Sequence, residues 1–201
     1  MPIIVAGNTV EGEERLILAA WRQSKTMFPD MRLIIAPRQP KRFDEAAKLL
    51  ADEGLPHHRA SSPWPTGPDS WRDLQALLLD TIGELASVYK LGSVALVGGG
   101  WRWHGGHNPL EPVFWGVPTL IGPGCANFED LVEPLMESGC LKVVADTCLA
   151  DEIQLLLRQP CSNTREQSPF KLPKQLQGGT QRTWELLKPF LPTEQRMSVH
   201  S

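Results

Sequence analysis

An alternation constrains the fold of this chain more than any other feature. Apolar runs of strand length recur between segments whose apolar residues fall at helical spacing. Ile3–Ala6, Arg32–Ala36, Gln75–Leu79, Val94–Val97, Thr119–Ile121 and Leu141–Val144 read as about six strands. Helical patterns lie between them: through Leu16, Ala19 and Ala20, over Phe43–Ala51, from about Ile82 to Tyr89, after Asn108, through Leu131 and Leu135 from an Asn127 cap, and over Leu149–Arg158. Gly54 stands where a helix-closing glycine belongs. Strands alternating with helices build βαβ units, so the predicted fold class is α/β, one doubly wound parallel sheet. Ligands of such sheets bind outside the carboxyl ends of the strands. That rule selects four loops: Gly7–Glu11, Pro37–Pro40, Asp80–Leu85 and Gly98–Glu111.

The length of 201 residues suits one domain, placed at residues 1–160. Residues 161–180 are polar and proline-bearing and read as a linker, 181–192 as a C-terminal helix (Gln181–Phe190), and 193–201 as a disordered tail. The first strand begins almost at Met1, which fits a natural N-terminus or a domain of a longer protein. A formal net charge of −3 argues against a nucleic-acid or membrane-surface binder. No apolar run approaches a membrane span and no signal-peptide pattern is present, so the chain reads as soluble. Cys125, Cys140, Cys148 and Cys161 form no Cys-x-x-Cys pair, and they read as reduced thiols of a cytosolic protein.

Each of the four loops has a capping reading beside a ligand reading. In the first, Asn8 and Glu11 have the spacing of a capping box, and the turn's N–H groups can also meet an anion. In the second, Arg38 follows a core strand between Pro37 and Pro40, where a guanidinium can meet phosphate or carboxylate bidentately. In the third, Thr81 and Glu84 have capping-box spacing, while Gly83 in a first helical turn suggests a close backbone approach. The fourth runs Gly98-Gly99-Gly100-Trp101-Arg102-Trp103-His104-Gly105-Gly106-His107-Asn108-Pro109-Leu110-Glu111. Asn108 suits an N-cap, Pro109 the first helical position and Glu111 the third. Its glycines exceed what a simple turn requires. Trp101 and Trp103 read either as loop anchors or as ligand-lining rings. His104 with His107, and His57 with His58, lack a third ligand at metal spacing, so no metal is expected. Neither a P-loop, a Gly-x-Ser-x-Gly elbow nor a Gly-x-Gly-x-x-Gly fingerprint is present at the first turn.

Taken in order, five blocks resemble the C-terminal, donor-binding half of the 3-deoxy-D-manno-octulosonic acid (Kdo) transferases of lipopolysaccharide synthesis. They are Gly7-Asn8-Thr9-Val10-Glu11-Gly12-Glu13-Glu14, Ala36-Pro37-Arg38-Gln39-Pro40 with Arg42-Phe43, Asp80-Thr81-Ile82-Gly83-Glu84-Leu85, Gly105-Gly106-His107-Asn108-Pro109-Leu110-Glu111-Pro112, and Gly122-Pro123 with Asn127-Phe128. The likeness runs from residue 3 to about residue 160. The chain departs from the family at Asn8 and Val10, where serine and histidine are common, at Ile82 in place of methionine, and across Gly100–His104.

The resemblance implies the second Rossmann-like domain of a B-type (GT-B) glycosyltransferase. It implies CMP-Kdo as donor and the lipid A precursor as acceptor, at the cytoplasmic side of the bacterial inner membrane. Pro37, Arg38, Gly83, Glu84, Leu85, Asn108, Pro109, Leu110 and Glu111 match the family's CMP-contacting segments, and Gly7, Asn8, Thr9, Gly106 and His107 are further candidate donor contacts. In this reading Arg38 and helix N-termini hold the phosphate with no metal or other cofactor, and Glu111 accepts from the ribose hydroxyls. The family's catalytic base, acceptor site and membrane anchor belong to an N-terminal domain. No residue here is expected to be catalytic, and the chain alone is expected to bind donor without transferring sugar. The alternatives are a UDP-sugar-using domain of the same fold and a stand-alone nucleotide-binding module.

Overall fold

A computed structural model describes residues 1–67, 72–159 and 178–190. It contains a seven-stranded, all-parallel sheet: β1 (Ile3–Thr9), β2 (Arg32–Pro37), β3 (His57–Arg59), β4 (Ala76–Leu78), β5 (Val94–Val97), β6 (Thr119–Ile121) and β7 (Leu141–Val143). The strand order is β3-β4-β2-β1-β5-β6-β7. Chain order therefore reverses between β1 and β5, the point at which a doubly wound sheet opens a crevice. The helices are α1 (Glu13–Lys25), α2 (Phe43–Asp52), α3 (Leu85–Val88), α4 (Leu110–Phe114), α5 (Glu129–Glu137), α6 (Leu149–Leu157) and α7 (Gly179–Leu187).

Successive strand residues point to opposite faces, and two cores follow from that period. Ile4, Ala6, Leu33, Ile35, Leu78, Leu96 and Leu120 face α1, α2 and α6, where Ile17, Trp21, Leu50 and Ile153 are fully buried. Val5, Ile34, Ala36, Ala95, Val97 and Ile121 face the other way, onto Tyr89, Val113 of α4 and Val132 and Leu135 of α5. Strands covered on both faces read as nearly continuous apolar runs.

The structure adds one strand to the predicted six. β3 consists of His57, His58 and Arg59, all half-buried, and pairs with β4 at the sheet edge. Three polar residues leave no hydrophobic period to read. Helix starts also differ. The Asn8–Glu11 capping box does not form, because β1 continues to Thr9 and the N-cap of α1 is Gly12 at φ 85°. Asn8 is instead the extra residue of an irregularity in the β1–β2 register, with φ 56°. The helix predicted from Ile82 begins at Leu85, since Gly83 at φ 92° stands in the left-handed region. Asn127 caps nothing; it lies in a 3-10 turn, and α5 starts at Glu129 behind Phe128. The last predicted helix is α7 followed by a 3-10 turn over Lys188–Phe190. Most of the predicted linker, with Cys161, and the predicted tail lie outside the described residues.

The face assignment of α6 is testable by urea denaturation. Ile153→Ala should cost about 2–5 kcal/mol, as loss of a fully buried branched side chain does. Leu155, half exposed on the same helix, should tolerate alanine within about 0.5 kcal/mol.

Candidate functional site

The four loops meet at the carboxyl edge, and a buried acid joins two of them. Glu13 opens α1 and is fully buried. Its carboxylate accepts from the Gly99 N–H (2.8 and 2.9 Å to the two oxygens), the Trp101 N–H (2.9 Å), the Val10 N–H (3.1 Å) and, more weakly, the Arg102 N–H (3.4 Å). Backbone donors thus offset the burial of a charge. Beside it, Glu14 is also buried and takes a bidentate pair from Arg42 (2.7 and 3.1 Å) and a hydrogen bond from the Thr9 hydroxyl (2.8 Å). This second acid ties the chain after β2 to the end of β1. The backbone N–H of Arg38 adds another tie, donating to Thr9 O at 3.0 Å.

These contacts explain the glycines. A Cβ on Gly98 would stand 2.5 Å from Glu13 Oε2 and 2.6 Å from Asn8 O. A Cβ on Gly122 would stand 2.3 Å from the Gly100 carbonyl carbon, because these two loops cross backbone to backbone. Gly106 N–H donates to Gly99 O (3.0 Å) and Gly124 N–H to Gly100 O (2.8 Å), closing the crossing. The glycine excess therefore serves loop-on-loop packing. Trp101 is an anchor: it is buried, and its indole N–H donates to Val144 O at 2.9 Å. Trp103 is half exposed, its ring 5.7 Å from that of His107.

The candidate ligand residues ring this scaffold. Arg38 projects into solvent from the end of β2, and its charge acts on both His107 and Glu111. Burial and then Arg38 hold the His107 imidazole below its ordinary value. Burial pushes the Glu111 carboxyl up, against a smaller opposing pull from Arg38. Asn108 Oδ1 accepts the Leu110 N–H at 3.0 Å one residue ahead of the N-cap Pro109, but Glu111 does not close a box and its carboxylate hydrogen bonds to nothing among the described residues. Pro109 is buried beneath this turn.

Across from α4, Gly83 and Glu84 are exposed, and the Thr81 hydroxyl donates to the Glu84 carboxylate. Gly83 has open space around it, so its positive φ, with no crowding neighbour, is what calls for glycine. Below this loop Asp80 accepts from Arg59 Nε (2.6 Å) and from Ser61 N and Oγ (2.8 and 2.6 Å). Burial alone would raise that carboxyl, and these bonds outweigh it and hold it below its ordinary value. Leu85 packs toward Gly7, while Ala86, Ser87, Leu110, Glu111, Phe114 and Trp115 line a groove of about 330 Å³ between α3 and α4.

The structure thus puts His107 and Glu111 within reach of the Arg38 charge and sets Ala86 and Ser87, which follow the Gly83–Leu85 turn, across a groove from Leu110 and Glu111. Asn8 stands at the bulge, while Gly7, Thr9 and Gly106 are buried in the scaffold below. Glu11 lies away from the group, in a cleft of about 320 Å³ between α1 and α2. One expectation is weakened. Helices α3 and α4 have four and five residues, and Asn108 already occupies one early N–H of α4, so their dipoles offer an anion little and Arg38 is the stronger partner. Glu13, Glu14 and Arg42 appear in the sequence only as motif neighbours. Two acids in a first helical turn read as ordinary dipole partners, and nothing in the pattern tells that both are buried. Among the described residues no group of three His, Cys, Asp or Glu could hold a metal ion, and no helix is long and apolar enough to cross a membrane.

Two outcomes follow. Glu13→Ala should destabilise the domain by roughly 2–5 kcal/mol in urea denaturation, since it strands buried N–H groups of Gly99 and Trp101. The His107 imidazole should titrate below its ordinary midpoint by NMR, and Arg38→Ala should raise that midpoint, because removing a neighbouring cation favours imidazolium.

No protein-family model matches the chain. It is 34% identical over 194 residues to the 3-deoxy-D-manno-octulosonic acid transferase of Haemophilus influenzae, covering 94% of this chain and 44% of that protein. Its counterpart in Bordetella pertussis is 31% identical over 196 residues, covering 94% and 45%. The chain thus spans less than half the length of these relatives. Among solved structures it resembles the C-terminal CMP-Kdo binding domain of WaaA from Acinetobacter baumannii, at 30% identity, TM-score 0.68 and 78% coverage of both chains. The C-terminal domain of a Francisella tularensis group 1 glycosyl transferase, at 16% identity and TM-score 0.52, shares the fold. With that sequence likeness and a matching domain structure, the chain belongs to the 3-deoxy-D-manno-octulosonic acid transferase family, as a glycosyltransferase domain of the C-terminal, GT-B kind.

Proposed function

We propose that this domain binds CMP-Kdo as the donor for transfer of Kdo to the lipid A precursor. The observation that carries the reading is the meeting of Arg38, His107 and Glu111 at the sheet's switch point. An exposed guanidinium with no partner among the described residues suits the single phosphate of CMP, and no metal is required for that pairing. A carboxylate with unused acceptor sites suits the two ribose hydroxyls. The groove between α3 and α4 offers a partly apolar wall beside Glu111 for the base or sugar. Pro37, Gly83, Glu84, Leu85, Asn108, Pro109 and Leu110 frame this set, with Gly7, Asn8, Thr9 and Gly106 beneath it.

In the proposed reaction an acceptor hydroxyl attacks the anomeric carbon of Kdo while its bond to the CMP phosphate oxygen breaks. The departing phosphate gains charge, and Arg38 stabilises that charge. The hydroxyl proton passes to a base proposed to lie outside the matched segment. Contact with the lipid acceptor, at the cytoplasmic side of the inner membrane, is proposed for the full-length protein. The domain is proposed to span residues 1–160.

Calorimetric titration tests the reading. CMP should bind, and UMP and UDP should bind more weakly. Arg38→Ala and Glu111→Ala should each weaken CMP binding by roughly 1–3 kcal/mol, the range for lost hydrogen bonds to charged groups. A folded chain that binds no CMP, or prefers UDP, contradicts the donor assignment.

A further inference from the structure

Tyr89 is fully buried, and its hydroxyl has no hydrogen-bond partner among the described residues. A buried phenol ordinarily finds one. The hydroxyl sits under the end of β1, in a place fixed by Gly7. A Cβ there would lie 2.1 Å from Tyr89 Oη and 2.9 Å from Leu85 Cδ1. The missing side chain therefore lets the phenol reach the crevice edge, between β1 and the α3 turn. Tyr89 packs in one cluster with Leu110 and Val113 of α4, the helix that carries Glu111; burial first, and then the Glu111 charge, push the hydroxyl's ionisation up. A buried donor and a half-buried acceptor, neither bonded among the described residues, thus lie on Tyr89 and on the helix that packs against it.

We infer that Tyr89 is a positioning residue of the nucleotide site, its hydroxyl donating to the Glu111 carboxylate once a ribose engages that carboxylate. This rests on the reading of Glu111 as the ribose acceptor. A carboxylate has about four acceptor directions, and a ribose diol takes two of them. Water serves the others in the free chain. A bound nucleotide displaces that water, and the Tyr89 hydroxyl is a buried donor with no partner among the described residues that can take its place. An O–H to carboxylate bond is among the stronger hydrogen bonds, and it would fix the rotamer in which Glu111 meets both ribose oxygens.

Tyr89→Phe in the 201-residue chain tests this, with CMP titration and thermal unfolding read together. The free variant should melt no lower than the parent, because it removes a polar atom that has no partner among the described residues. Its CMP affinity should fall about tenfold, the size of one hydrogen bond to a charged group. In a Glu111→Ala background the same substitution should change CMP affinity less than twofold. Equal affinity of Tyr89→Phe and parent would overturn the inference. So would an equal loss in both backgrounds, or a lower melting temperature of the free variant, either of which marks a packing role. A parent chain that binds no CMP would overturn the reading of Glu111 as well, and this inference with it.

Discussion

The Glu13 carboxylate lies buried among backbone N–H groups from two loops, and the carboxyl edge of the sheet takes its shape from that arrangement. The N–H groups of Gly99 and Trp101 would otherwise point into a dry interior, where an unmet donor is costly. The acid would otherwise be a charge without compensation. Each solves the other's problem, so the β5 loop is held to the start of α1 by groups that cannot separate cheaply. Glu14 repeats the device one residue on, with Arg42 as the donor, and brings in the chain after β2. Loops after three neighbouring strands are fixed in this way without any of the side chains that face solvent.

That division of labour separates scaffold from site. Glu13, Glu14, Trp101 and the glycines that cross at Gly100 and Gly122 find their partners within the protein, as does Arg42 except at Nε, which is 3.4 Å from a Glu45 oxygen without a hydrogen bond. The Arg38 guanidinium, His107 Nε2, the Glu111 carboxylate and the Tyr89 hydroxyl form no hydrogen bond among the described residues. Polar groups without partners, gathered at a topological switch point, are what a polar ligand can complete. The phosphate and ribose of the proposed donor match this set in charge and in hydrogen-bond sense.

Much of this was legible in the sequence. Val94–Val97 and Thr119–Ile121 match the observed strands to the residue, because buried parallel strands are short continuous apolar runs bounded by glycine, proline or serine. β3 was not legible, since His57-His58-Arg59 carries no apolar residue and pairs only at an edge. Helix starts were misplaced wherever capping spacing competed with a glycine at positive φ, as at Gly12 and Gly83. The ordered motifs lie on loops that meet at the carboxyl edge of the sheet. The reason for their glycines was invisible, because it lies in contacts between residues as distant as Gly98 and Glu13. Tyr89 read only as the end of a helix, and nothing in its neighbourhood signals that its hydroxyl ends buried beside Gly7.

Loops distant in sequence are proposed to form one nucleotide site above a hydrogen-bonded scaffold. Mapping backbone amide chemical shifts during titration with CMP tests it most directly. Saturable shifts confined to Arg38, Gly83–Leu85 and His107–Glu111, with one shared dissociation constant, are the predicted result. Shifts centred on the cleft between α1 and α2, or no saturable shift in the folded chain, would contradict it.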